Sequence, residues 1–151
     1  MNKIFFVLNF GKPPWYFPFY HTSCINNKDV GFLFIGYSFN DIPEADNIRK
    51  INFSLEDFSV LASHKTGIDI NVNTGYKTCD LRPAFGGIFE DFIKEADFWG
   101  ICDPDIVLGD IRGFLTDEIL RDYNYISVKP EYPTGFMSVY RNCPLINNLY
   151  R

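Results

Sequence analysis

Asp97-Phe-Trp-Gly-Ile-Cys-Asp-Pro-Asp-Ile-Val-Leu-Gly-Asp110 is the stretch that decides how this chain is read. Phe98 to Cys102 is an apolar, aromatic run of strand type. It ends abruptly in two carboxylates, Asp103 and Asp105, with Pro104 between them. Carboxylates two apart at a strand terminus can share one hard cation, and in an open α/β sheet the carboxyl ends of strands are where ligands bind. The same residues also read as an ordinary turn, Asp at its first position and Pro at its second. Both readings stand at this point.

Upstream, Tyr76-Lys-Thr-Cys-Asp-Leu-Arg-Pro83 opens a segment in which Leu81, Phe85, Ile88, Phe89 and Phe92 fall at helical spacing. The pattern predicts an amphipathic helix from about Asp80 to Lys94, with Pro83 tolerated in its first turn. Gly86 and Gly87 lower helix propensity by ~1 kcal/mol each against Ala, which points to close packing on the sheet. Lys77, Asp80 and Arg82 gather two cations and an acid at this start. They read either as a solvated face with Asp80 as helix cap or as a phosphate site on a helix N-terminus.

Further out the pattern is strand, helix, strand, the opening of a βαβ unit. Ile4–Phe10 reads as a buried first strand and Gly11–Pro14 as a loop. A helix is expected over Phe19–Asn26, and strands over Val30–Ile35 and Asn47–Phe53. Ser54 caps a helix with Asp57 three residues on, and that helix closes at Gly67. His64 lies near its end, where a cation suits the helix dipole better than a ligand role does. After the organising stretch a helix is expected over Ile111–Arg121, strands over Tyr123–Val128 and Gly135–Tyr140, and the beginning of a helix over Arg141–Arg151. The reading is one α/β domain over residues 1–151.

At 151 residues, with 46% hydrophobic and 22% charged side chains, the composition is that of a globular domain. A net charge of −5 without a basic stripe argues against a protein that coats nucleic acid. Any phosphorylated ligand must then be neutralised locally, by a metal or a few placed cations. The cysteines at 24, 79, 102 and 143 form no CxxC pair, so neither a zinc site nor a thioredoxin-like motif is suggested, and reduced thiols in a cytoplasmic protein are expected. The first ten residues look like a strand rather than a signal peptide, and no apolar run approaches the ~20 residues of a membrane-spanning helix.

The block from Tyr76 to Phe92, followed by Asp97 to Arg112, resembles bacterial glycosyltransferase-like proteins of the GT-A type. More closely it is similar to the DUF6625 family, whose members carry a Tyr-Lys-x-Cys-Asp-x-Lys/Arg-Pro block before a Cys-Asp-x-Asp block. Asn9-Phe-Gly-Lys-Pro-Pro14 and Tyr140-Arg-Asn142 fit the same pattern. The resemblance implies a GT-A-like, Rossmann-like nucleotide-sugar-binding domain with a mixed sheet flanked by helices. It implies a metal-dependent glycosyltransferase that uses a sugar nucleotide, UDP-sugar first among them, with a glycan or lipid-linked acceptor. The same protein would be cytoplasmic, reaching the membrane face transiently.

On that resemblance Asp103 faces the ribose or reaches the metal through water, and Asp105 ligates Mn²⁺ or Mg²⁺ at the diphosphate. Phe10 and Gly11 lie against the base. Tyr76, Lys77, Asp80 and Arg82 form the block flanking sugar and phosphates, with Lys77 and Arg82 on the phosphate side and Asp80 toward a sugar hydroxyl.

Three positions depart from the pattern. Gly36-Tyr37 stands where relatives commonly have Thr-Asp, and Phe136 stands where a His follows the late glycine. Members also continue beyond the position of Arg151, so the acceptor part is expected to be short or missing. A non-catalytic nucleotide-sugar-binding module is therefore the alternative to a working transferase.

Two other classes fit less well. Haloacid-dehalogenase-like phosphatases carry Asp-x-Asp at the first strand, with further acids far downstream. Nucleotidyltransferases place a Gly-rich phosphate loop after the first strand, where this chain has Gly11-Lys-Pro-Pro14, whose prolines donate no N–H. No catalytic base stands out, Glu131 in the Pro-containing loop being the nearest candidate.

Overall fold

The computed structural model describes residues 1–151. Six strands form one mixed sheet: β1 (Lys3–Leu8), β2 (Val30–Ile35), β3 (Ile48–Ile51), β4 (Phe98–Cys102), β5 (Tyr125–Ser127) and β6 (Met137–Arg141). Their order across the sheet is β3-β2-β1-β4-β6-β5. β1 to β4 run parallel to one another, and β6 runs antiparallel to both β4 and β5.

Strand periodicity sorts the side chains onto two faces. Phe5, Val7, Phe32, Phe34 and Phe98 point to one, where α1 (Phe17–Asn26) contributes Phe17, Tyr20 and Cys24. Phe6, Leu33, Ile35, Trp99 and Ile101 point to the other, where α2 (Leu55–Thr66) contributes Phe58 and Ala62. Both faces are therefore buried, which is why the central strands are continuously apolar.

The helix α2 follows its local signals. Ser54 Oγ accepts from the Asp57 amide, the Asp57 carboxylate accepts from the Ser54 amide, and Gly67 closes the helix in the left-handed region at φ 74°. His64 is exposed in the last turn.

The segment expected as one helix over Asp80–Lys94 is instead broken into three pieces. A 3₁₀ run covers Gly75–Ala84, one α turn covers Phe85–Ile88 (α3), and a further 3₁₀ turn covers Glu90–Phe92. Pro83 lacks the N–H that would continue an α ladder, and the glycine pair is a poor propagator. Asp80 consequently caps no α-helix. Gly86 does pack closely on the sheet: a Cβ there would lie 2.5 Å from Trp99 Nε1 and 2.6 Å from Asn147 Oδ1.

Other boundaries also shift. The expected helix over Ile111–Arg121 divides into α4 (Ile111–Phe114) and α5 (Asp117–Asp122), because Asp110 caps the first and Thr116 starts a second. At the carboxyl end β6 runs through Arg141, and helix is confined to α6 (Pro144–Asn147). The first strand stops at Leu8, so Asn9 and Phe10 belong to the loop above it. No helix is long and apolar enough to cross a membrane.

Candidate functional site

From β1 the chain winds outward through β2 and β3, then returns to lay β4 on the opposite side of β1. The crossovers thus diverge between β1 and β4, and the carboxyl ends of two such parallel strands leave a crevice between them. A cleft of about 450 Å³ occupies that place. Leu8 to Gly11 from the end of β1 and Ile101 to Pro104 from the end of β4 form its walls, closed by Gly75, Tyr76, Thr78, Cys79, Arg82 and Phe85.

The first wall is shaped by hydrogen bonds within the loop itself. Asn9 Nδ2 donates to the Gly11 carbonyl and the Gly11 amide donates to Asn9 Oδ1, folding the loop back on itself. Gly36 stands at φ 131°, where a Cβ would fall 2.0 Å from the Asn9 carbonyl oxygen. Only glycine fits there, which gives a backbone reason for Gly36. Ser38 Oγ donates to the same carbonyl. Phe10 packs on Phe58 of α2 with ring centroids 5.8 Å apart, and so ties the loop to the core.

The second wall carries the charge. Asp103 leaves β4 with its amide donating to the Phe136 carbonyl at 2.9 Å, the last bond of the β4–β6 pairing. Its carboxylate is ion-paired with the Arg82 guanidinium, whose other terminal nitrogen donates to the Gly135 carbonyl. Burial pushes the Asp103 carboxyl above the ordinary carboxylate range, against the pull of Arg82, and Asp105 adds to the rise. Asp105 is exposed and does not line the cleft.

A model described as "Family of unknown function (DUF6625)" matches residues 5–151. The chain belongs to the DUF6625 family. No curated protein and no solved structure matches it.

Five of the residues singled out from sequence line the cleft of this DUF6625 member: Phe10, Gly11, Tyr76, Arg82 and Asp103. Tyr76 is 81% exposed and presents its ring at the mouth. Lys77 and Asp80 are exposed, pair with each other at 3.2 Å and lie outside the lining. Glu131 is exposed and likewise outside it.

Sequence reading missed Asn9, Thr78, Cys79 and Phe6 as lining residues, together with the supporting roles of Gly36 and Gly135. Asn9 directly follows the first strand, a position at which an α/β sheet offers its loops to ligands. The glycines carry no such signal, because their role depends on segments far away in sequence.

The cleft's thiols are weak nucleophiles. Cys102 accepts or donates a 2.7 Å hydrogen bond with Tyr20 beneath the floor, and burial pushes its thiol up to about 12. Burial also raises Cys79. Nucleophilic cysteine chemistry needs a depressed thiol, which neither offers. All four cysteines are free.

No group of three or more His, Cys, Asp and Glu side chains is gathered closely enough to hold a metal ion. A protein-only metal cage is thus absent. One or two carboxylates completed by phosphate oxygens and water is nevertheless the usual donor set for Mg²⁺. Asp103 on the cleft wall, ion-paired with Arg82, and Asp105, exposed and outside the lining, are the two carboxylates that the sequence pattern offers for such a set.

Proposed function

We propose that this chain binds a nucleotide sugar in the cleft between β1 and β4 and acts as a metal-dependent glycosyltransferase of GT-A type in glycan synthesis, with UDP-sugars as the first donors to test. The observation that carries this reading is the position of Asp103: at the carboxyl end of a central parallel strand, in the wall of a switch-point cleft.

The remaining lining suits such a ligand. Tyr76 offers an exposed ring for a base to stack on, and Phe10 and Gly11 bring apolar surface and open backbone to the same end. Arg82 supplies a planar fork of donors for phosphate oxygens. Lys77, next in the chain to Tyr76, would bring a cation toward the opening on release from its pair with Asp80. Asp80 stands beside it for a sugar hydroxyl.

Asp103 and Asp105 would hold Mn²⁺ or Mg²⁺, which when bound supplies Lewis-acid neutralisation of a leaving diphosphate. The chain's own part is to fix the diphosphate against Arg82, to orient the sugar and to keep water from the anomeric carbon with its apolar floor of Phe6, Leu8 and Phe85.

One observation favours a second reading, that of a binding module without transfer. Asp103 is the one acid lining the cleft, and no histidine lines it, so no separate base is in place.

Calorimetric titration of UDP, with and without Mn²⁺, tests the binding claim. The expected result is manganese-dependent binding that is lost in Asp105→Ala. Release of UDP from UDP-sugars by the wild type then separates a transferase from a module. Silence with UDP, GDP and the other nucleoside diphosphates would overturn both readings.

A further inference from the structure

Trp15 is the most exposed large apolar side chain of the molecule, at 84%, and Phe19, four residues on, is 61% exposed. The residues between them behave differently. Phe17 is buried, as is Tyr20, and both pack on Phe34 with ring centroids 5.7 and 6.3 Å away. The start of α1 thus sorts its aromatics, two toward the sheet and two toward solvent. Backbone hydrogen bonds fix that arrangement: the Phe17 amide donates to the Pro14 carbonyl and the Phe19 amide to the Tyr16 carbonyl, both at 3.0 Å. Tyr16 meets Trp15 edge to face at 5.7 Å.

The chemistry around the two outward rings selects what covers them. From Lys12 to His21 there is no Asp, Glu, Asn or Gln, and no acid occurs anywhere before Asp29, although the chain carries a net charge of −5. A sugar stacked on Trp15 would need such side chains for its hydroxyls. Thr22, the first hydroxyl beyond the segment apart from tyrosines, already donates to the Pro18 carbonyl at 2.8 Å. Pro13, Pro14 and Pro18 have no N–H, so an apolar phase strips water from fewer backbone donors here. Lys12 stands exposed at the edge. Aromatic rings with an apolar body, few naked donors and a cation at the border are what the interface of a lipid bilayer accommodates.

We propose that the segment from Lys12 to Phe19 is a bilayer-contact surface, which seats Trp15 and Phe19 at the headgroup level of a lipid membrane. It continues directly from Asn9 to Gly11, so the contact brings the first wall of the cleft to the membrane face. Asp41 and Glu44 are exposed on the next loop, which joins α1 through His21 and the Pro43 carbonyl, and Glu44 pairs with Lys50. Ring burial rather than charge therefore supplies most of the affinity, and both neutral and anionic bilayers are bound.

The chain carries its own reporter, because its other tryptophan, Trp99, has no exposed surface. Tryptophan emission is followed while phosphatidylcholine vesicles, with and without phosphatidylglycerol, are added to the full chain, and binding is measured in parallel by co-sedimentation. The expected result is a blue shift with both vesicles, together with quenching by lipids brominated along the acyl chain. Trp15→Ser and Phe19→Ser should each weaken partitioning about tenfold, in line with the loss of one buried aromatic side chain. Both positions are exposed, so the fold is retained and circular dichroism verifies it.

No shift and no sedimentation with either vesicle overturns the proposal, as does partitioning unchanged in both variants. A blue shift that grows with protein concentration alone assigns the rings to a second copy of the chain, and one produced by a soluble oligosaccharide such as maltoheptaose assigns them to sugar stacking; either result also overturns it. Nucleotide binding is read separately: Trp15 and Phe19 do not line the cleft, so vesicle binding and UDP binding succeed or fail independently.

Discussion

Two segments cover the same face of the sheet, and they do so in opposite styles. Helix α2 is a regular helix with a capping box at Ser54 and a left-handed glycine at its end. The segment from Gly75 to Phe92 is a 3₁₀ run, a single α turn and another 3₁₀ turn. Both deliver buried phenylalanines to one core, Phe58 from the first and Phe85 and Phe89 from the second. Regular backbone is therefore not what the core requires. The irregular segment alone supplies Tyr76, Cys79 and Arg82 to the cleft, and its backbone bends to place them.

The largest effect expected is one that erases the contrast. Phe58→Ala and Phe89→Ala each remove a side chain with no exposed surface. Phe89 packs on Phe6 at 5.0 Å and on Phe58 at 6.0 Å between ring centroids. Each substitution should cost ~3–5 kcal/mol in denaturant unfolding. Equal losses would show that the irregular segment is as firmly part of the core as α2, whereas a loss under about 1 kcal/mol for Phe89→Ala would show it to be loosely docked.

Next in size is the glycine test. In an ordinary exposed helix Gly→Ala stabilises by ~1 kcal/mol. Gly86→Ala should instead destabilise by ~1–3 kcal/mol, because its methyl meets Trp99 and Asn147, which share a 2.7 Å hydrogen bond. A stabilising Gly86→Ala would mean that the break is a weakness of local sequence rather than a requirement of packing.

Smallest is a pair of opposite pH slopes. Hydrogen bonds from the Ser54 amide and hydroxyl hold Asp57 below the usual carboxylate range. The stability it gives is present above the unfolded value of about 3.9 and lost as pH falls through the folded one. Burial raises Asp103, so its protonated form favours the fold. That contribution is full below about pH 3.9 and lost as pH rises through the raised value. Unfolding of wild type against Asp57→Asn and Asp103→Asn, from acid toward neutral pH, should show differences of opposite sign. Parallel slopes would contradict the assignment of the two environments.

What the sequence revealed follows the same division. The bounds of β2 and β4 and the two ends of α2 were legible because their signals are local: apolar runs of strand length, Ser54 with Asp57, and Gly67. The Asp80–Lys94 segment was misread as one helix because its apolar spacing is helical while its backbone answers to Trp99 and Asn147, both distant in sequence. The site was legible in composition and not in arrangement. Phe10, Gly11, Tyr76, Arg82 and Asp103 meet at one cleft, but the cleft exists only because β4 returns beside β1. The Arg82–Asp103 pair spans 21 residues, and the roles of Gly36 and Gly135 arise from partners that no local pattern names.

The central claim is that the crevice between the ends of β1 and β4 is where this chain takes its ligand. Amide chemical-shift mapping with UDP and Mg²⁺ on uniformly ¹⁵N-labelled protein tests it most directly. The account predicts shifts concentrated at Asn9, Phe10, Gly11, Tyr76, Cys79, Arg82 and Asp103, with α2 and the β3 edge unmoved. Shifts centred elsewhere, or none with any nucleoside diphosphate, would contradict it.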